Sequence, residues 1–242
     1  MVHRQMPAIT VVGTGPGPLS YLTKEAEREL LLADKVFFRM SRHPVYAWLK
    51  ENRKQLVSFE MMYTIPRIGF GEIYEFIVNA LIQEAMLRGQ AVYALPGNPF
   101  VLEDTTRLLK LQASKHIHIK VIPGVSFLDL IYGEVDIDFA AGAQIVLPYS
   151  HLQHGAFDER RPLVVCQIEC MSQPCDEPRV ELTMRWLLNK YPPEHSVQLI
   201  WTDGYPAYET TSKAFPLRDL VREYGAGRFF ASLYVPPFSK ET

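Results

Sequence analysis

The chain has 242 residues, of which 48% are hydrophobic, enough to fill the core of one large domain or two small ones. Its net charge of −2 carries no electrostatic footprint for a nucleic-acid partner. No apolar run reaches membrane-spanning length, MVHRQMPAITVVG lacks a signal-peptide core, and three cysteines cannot pair completely, so a cytoplasmic globular protein is expected.

The first predicted strand is Ala8 to Val12, ending in Gly13-Thr14-Gly15-Pro16-Gly17-Pro18. A helix follows to Ala33, with Thr23 as N-cap and Glu25 and Glu27 in its first turn. Lys35 to Arg39 reads as a second strand, Val45 to Asn52 as a helix and Leu56 to Phe59 as a third strand. Met61 to Gly71 is irregular. Glu72 to Arg88 is an amphipathic helix with Ile73, Phe76, Ile77, Ala80, Leu81 and Ala85 on its apolar side, closed by Gly89. Val92 to Leu95 forms a buried strand stopped by Pro96-Gly97-Asn98-Pro99, and a helix over Val101 to Ser114 follows. Ile117 to Ile122 is a strand ending in Pro123-Gly124-Val125-Ser126. This alternation predicts an α/β domain with a parallel sheet over residues 1–122.

Residues 123–242 are expected to form a second α/β domain with a mixed sheet. Ser126 to Glu134 begins it as a helix and Gln144 to Leu147 is a brief strand. Residues 151–162 are a charged surface segment, Leu163 to Glu169 a buried strand, and Arg179 to Tyr191 an amphipathic helix stopped by Pro192. Val197 to Thr202 is a strand, Pro216 to Tyr224 a short helix and Phe229 to Val235 the closing strand.

Three proline-glycine turns therefore follow three predicted parallel strands at their carboxyl ends, where open α/β sheets bind ligands. The first invites a dinucleotide reading, but Pro18 breaks the G-x-G-x-x-G fingerprint and no acidic residue ends the second strand. Prolines at 16 and 18 also remove the backbone donors a phosphate requires. Such turns form a tight, donor-poor wall suited to a neutral or cationic ligand, with Asn98 as its amide side chain. Equally, each turn taken alone reads as a sharp connection in a sheet.

The succession VVGTGPGPLSYLT at 11–23, YALPGNPFV at 93–101 and VIPGVSFLDLIYGEVDID at 121–138 resembles the tetrapyrrole methylase superfamily. LVVCQIE at 163–169 and FFASLYVPP at 229–237 agree. The likeness is greatest to the methylase-like domain that precedes MazG-type pyrophosphohydrolase domains. The resemblance implies two α/β domains with S-adenosylmethionine (SAM) in the cleft between them, S-adenosylhomocysteine as product, and a homodimer. By motif matching it implies cofactor contacts from Pro16, Gly97, Asn98, Val101, Ser126, Phe127, Gln167 and Ile168. Pro18 and Asn98 depart from the family pattern, which commonly has aspartate at the first position and aspartate or histidine at the second.

Methyl transfer from a sulfonium is an in-line displacement that depends on alignment and exclusion of water. Tyr63, Arg67 and Tyr74, in and beside the irregular segment, are the candidates to orient or deprotonate a small-molecule or peptide acceptor. Tyr74 also fits a core position, and Glu103-Asp104 reads as a helix cap. His151-x-x-His154, His116-x-His118 and the cysteines at 166, 170 and 175 lack metal-site spacing, so no metal is expected. Cys166 reads as core, Asp158 to Arg161 as a solvated run, and Asp203-Gly204 as a weak adenosine contact. Two alternatives stand beside the methyltransferase reading: a borosin-like peptide backbone N-methyltransferase, whose tyrosine-arginine set the segment loosely echoes, and a non-catalytic SAM-binding or partner-docking domain.

Overall fold

The computed structural model describes residues 6–113, 116–148, 154–168, 179–202, 209–225 and 231–239. Two five-stranded sheets organise these residues, one in each of two units that divide between Phe127 and Leu128.

The first unit has strands β1 (Ala8–Gly13), β2 (Lys35–Phe38), β3 (Gln55–Ser58), β4 (Gln90–Leu95) and β5 (His118–Ile122). All pairs are parallel and the order is β3-β2-β4-β1-β5. Five consecutive residues of β4, Ala91 to Leu95, are buried, as a central strand covered on both faces requires. One face carries Ile9, Val11 and Tyr93 against α3 (Phe70–Arg88) and α4 (Asp104–Gln112) through Ile73, Ile77, Leu81 and Leu109. On the other, Val12, Val36 and Phe38 meet Ala26 and Leu30 of α1 (Lys24–Leu32) and Val45 and Leu49 of α2 (Pro44–Glu51). Thr23 caps α1 as expected, accepting from the Ala26 amide at 3.2 Å.

The second unit contains α5 (Phe127–Val135, from Leu128 on), β6 (Gln144–Val146), β7 (Leu163–Val165), α6 (Arg179–Leu188), β8 (Ser196–Trp201), β9 (Thr211–Pro216), α7 (Leu220–Tyr224) and β10 (Ala231–Val235). Its order is β6-β7-β10-β8-β9; only β6 and β7 are parallel, so the sheet is mixed, as expected. Leu163, Val165, Leu199 and Leu233 pack with Leu187, Leu217 and Leu220 in its core.

Several expectations are corrected. The helix after the central turn begins only at Asp104, because Leu102 sits at φ 51° and Glu103 caps. Strand β7 stops at Val165, since Gln167 adopts φ 50°; beyond it the Cys166 amide still reaches Val146 O and the Ile168 amide reaches Ala231 O. Phe76 is half exposed rather than buried, its ring meeting Phe59 edge-on, and Val78 is a further buried residue of α3. The helix predicted from Pro216 is instead the end of edge strand β9, a 3₁₀ turn over Leu217–Asp219 and α7. Ser114, Glu169, Phe229 and Phe230, assigned to elements above, lie outside the described residues, as do His151, Cys170, Cys175, Asp203 and Gly204.

A Cβ on Gly124 would come within 2.8 Å of Gly13 C and 2.9 Å of Gly13 O, and closer still to the Gly97 carbonyl oxygen. Gly133, inside α5, has open space at the same position. Gly124→Ala is therefore expected to destabilise the fold by about 1–3 kcal/mol, whereas Gly133→Ala is neutral or stabilising by up to about 1 kcal/mol. Urea unfolding of the two variants checks this contrast.

Candidate functional site

Strands β4, β1 and β5 are neighbours and parallel, so the turns that follow them meet at one end of the first sheet. The first two turns are hydrogen-bonded to each other. Gly15 N donates to Gly97 O at 3.3 Å and Gly97 N to Gly15 O at 2.7 Å, an isolated antiparallel bridge beyond the ends of the strands. The third turn packs against both: a Cβ on Gly13 would lie 2.6 Å from Gly124 N and from Pro99 Cδ, and 2.7 Å from Gly97 O. Only residues without a side chain permit this approach. Gly97, at φ 70°, has no atom within 4 Å of where its Cβ would be. The turn is thus clamped on one side and bare on the other.

Asn98 Oδ1 accepts from Phe100 N at 3.0 Å and Asn98 O from Val101 N at 3.0 Å, which fixes the exit of the turn. The carboxamide NH2 of Asn98 has no hydrogen bond among the described residues. Pro16 and Val101 are half-buried, Ser126 is buried, and Phe127 opens α5. Six of the eight residues expected at a cofactor, Pro16, Gly97, Asn98, Val101, Ser126 and Phe127, therefore lie on or next to these turns. Gln167 and Ile168 belong to the second unit, where the Ile168 side chain is part of the core.

A fourth segment, 39–43, leaves the end of β2 and is tied to the first two turns. His43 caps α2 through Nδ1, which accepts from Val45 N at 3.3 Å, and Pro44 fills the first helical position. His43 Nε2 lies 3.0 Å from Gly15 O. Burial pushes the imidazole down to about 4, against the raising influence of its bond to Gly15, so the ring is neutral at neutral pH. The Glu60 carboxylate accepts from Ser41 N at 2.9 Å and pairs with Arg42.

Arg39, at the other end of the segment, is the centre of a buried polar cluster that the sequence reading missed. Its guanidinium pairs with Glu103, whose side chain is 4% exposed, and donates to Tyr74 Oη at 3.0 Å. It lies 5.7 Å from the Tyr63 ring and 5.1 Å from the Tyr74 ring, within cation–π range. Burial opposes the charge on Arg39, yet Glu103 and the tyrosines hold it well above its ordinary value. Burial also pushes the Tyr63 phenol up to about 12, against the pull of Arg39, and raises Tyr93 well above its ordinary value. These phenols are protonated at neutral pH, and the Tyr63 and Tyr93 hydroxyls are buried without a hydrogen bond of ordinary geometry among the described residues. A protonated phenol is suited to orient an acceptor rather than to deprotonate it, which corrects the expectation for Tyr63.

Tyr63 and Tyr74 are thus brought together, but around Arg39. Arg67 is solvent-exposed at φ 68°, with no ion pair or hydrogen bond among the described residues. Glu103 does cap α4, accepting from Thr105 N at 3.0 Å, but its second oxygen serves Arg39. The signal for Arg39 was available: an arginine ending a buried strand needs a buried acid. Cys166 is core, its thiol pushed up to about 12 by burial.

The family model described as "Tetrapyrrole (Corrin/Porphyrin) Methylases" matches residues 8–214. "Uncharacterized protein YabN" of Bacillus subtilis (strain 168) is 32% identical over 234 residues, covering 96% of this chain and 45% of that protein. A methyltransferase and type II borosin cyclic peptide precursor of Phlebiopsis gigantea is 21% identical over 242 residues, covering 96% and 43%. The chain spans less than half the length of these curated relatives. Uroporphyrin-III C-methyltransferase of Thermus thermophilus superposes with a TM-score of 0.68 at 22% identity, over 96% of this chain and 92% of that one. A structure of the same enzyme complexed with S-adenosylhomocysteine gives 0.65 at 19%, over 95% and 92%. The structural likenesses establish the fold.

Two outcomes follow from the site. Arg39→Met leaves the Glu103 carboxylate buried without its partner and is expected to cost about 3–5 kcal/mol, with part of the loss recovered on adding Glu103→Gln; urea unfolding measures both. His43 takes up a proton at about 6.5 when unfolded but only at about 4 when folded. Its contribution to stability is complete above the first value and is lost as pH falls towards the second, a difference of roughly 3 kcal/mol. Unfolding free energies from pH 7 to 4 should therefore fall less steeply for His43→Gln than for the wild type.

Proposed function

The chain belongs to the tetrapyrrole (corrin/porphyrin) methylase family, a family of SAM-dependent methyltransferases, and on that premise we propose that its three joined turns seat SAM for methyl transfer. The observation that carries this reading is the bare face of Gly97 in a turn held by Gly15 and packed by Gly13 and Gly124. A cradle that a side chain would fill admits a ligand against the backbone. Its donor chemistry fits a cationic sulfonium and an adenosine better than a phosphate, because prolines 16, 18, 96 and 99 contribute no amide hydrogen.

Pro16, Gly97, Val101, Ser126 and Phe127 would line the seat, and the Asn98 carboxamide would donate to a ribose hydroxyl or carboxylate oxygen. Bound there, SAM supplies an electrophilic methyl group. The protein's own task is to hold the acceptor in line and keep water out. Tyr63 and Tyr74, polarised by Arg39, would orient the acceptor by donating hydrogen bonds, so the proton lost from a protonated nucleophile would leave to another base or to water. Homodimerisation and a cytoplasmic location belong to the same reading.

The acceptor is proposed as a small molecule or a peptide. The peptide reading is favoured by the likeness to a borosin precursor over 96% of this chain. Pro96 stands where a further tyrosine of that branch is expected, so the two sites are not equivalent.

Calorimetric titration with SAM and S-adenosylhomocysteine tests the reading. One site per chain with an affinity near micromolar, about −8 kcal/mol, is expected for at least one of them. Asn98→Ala should weaken it by about 3- to 10-fold, and Val101→Trp should abolish it. No binding of either compound to the wild type would overturn the proposal.

A further inference from the structure

His43 is buried, and its ring is held at both nitrogens. Val45 N donates to Nδ1, so Nδ1 is the bare acceptor nitrogen and the ring proton of the neutral imidazole sits on Nε2. Of the two oxygens near Nε2, Thr14 Oγ1 is at 3.4 Å and donates its own proton to Leu95 O at 2.9 Å. The Gly15 carbonyl, at 3.0 Å, is the better-placed acceptor. That same carbonyl takes the amide proton of Gly97 at 2.7 Å. One oxygen therefore receives two donors, one from the turn after β4 and one from the segment after β2. The ring cannot swing away without unmaking the cap of α2, and the segment behind it is fixed by Ser41 N on Glu60 and by Arg39 on Glu103.

We infer that His43 is a positioning residue: its Nε2–H fixes the Gly15 carbonyl and, through the Gly15–Gly97 bridge, the bare face of Gly97. The inference rests on the proposed cofactor seat for its functional consequence, but not for its structural one. A donor on Nε2 orients Gly15 O towards the Gly97 amide; without it, the peptide unit between Gly15 and Pro16 loses one of its two restraints. His43 touches neither transferred group nor acceptor in this scheme and acts only through the turn.

The test compares His43→Leu, which fills the volume without a donor, with His43→Gln, whose side-chain amide supplies an N–H at similar reach. Two readouts are followed, the hydrogen-exchange rate of the Gly97 amide by NMR and the affinity for S-adenosylhomocysteine by calorimetry. In His43→Leu the Gly97 amide should exchange about tenfold faster and the affinity fall about tenfold, as expected from losing one buried hydrogen bond. His43→Gln should restore most of both. A merely structural residue would lower the unfolding temperature while leaving both readouts within about twofold of the wild type, and that result would overturn the inference. Should the wild type not bind S-adenosylhomocysteine, the proposed function fails while the exchange rates still decide the role of His43. Should His43→Leu not fold, ring nitrogen shifts of the wild type decide: the Nε2–H tautomer supports the inference and Nδ1–H contradicts it.

Discussion

Three backbone segments meet at the end of the first sheet through glycines, at separations that leave no room for a Cβ on Gly13 or Gly124. The Gly97 carbonyl oxygen crowds the place where a Cβ on Gly13 or Gly124 would have to be, so backbone, with the Pro99 ring beside Gly13, sets the distance between the turns. Everything about the site follows from that distance. It lets Gly15 and Gly97 pair beyond the strand ends, and it makes the turn after β4 rigid on its packed side. It also leaves the other side of Gly97 open, where any residue with a side chain would fill the space and be strained at φ 70°. The flanking prolines at 16, 18, 96 and 99 bring no amide hydrogen to these turns. A wall short of donors suits a cation or a neutral ring better than a phosphate.

The segment from Arg39 to His43 is the second constraint, and it acts through charge and hydrogen bonding rather than close packing. Arg39 and Glu103 pair almost out of solvent, which contributes little net stability because desolvation offsets the attraction. What the pair does fix is geometry: α4 begins where Glu103 caps it, and Glu103 is where Arg39 holds it. Tyr63 and Tyr74 are arranged on the same guanidinium. For an in-line displacement this kind of fixed donor array is useful, because orientation rather than a strong base is the main requirement when the nucleophile is already electron-rich.

Much of this was legible from residues alone. The α/β class, the parallel first sheet and the mixed second sheet followed from apolar runs and their spacing, and Thr23 was correctly identified as a cap. The turns were legible as turns because Pro-Gly-Asn-Pro admits little else. Their mutual contact was not, since contact between glycines as far apart in the chain as Gly15 and Gly97, or Gly13 and Gly124, leaves no periodic trace. Arg39 was overlooked because a charged residue closing an apolar strand reads as a surface end, and its acid lies in a different helix cap. Edge strand β9 was missed for the opposite reason: Thr211, Lys213 and Ala214 are exposed, so its alternation resembles a loop. Leu102 and Gln167 adopt left-handed backbone that their residue types do not announce, and each shortened an element drawn too long from its apolar pattern.

The central claim is that the joined turns are where SAM sits, and hydrogen–deuterium exchange with and without S-adenosylhomocysteine tests it most directly. Protection is predicted in peptides covering residues 13–18, 96–101 and 123–127 together, because the three turns are one backbone unit. Protection confined to other segments, such as the hollow of the second unit lined by Trp201, Thr211 and Lys213, would contradict the account.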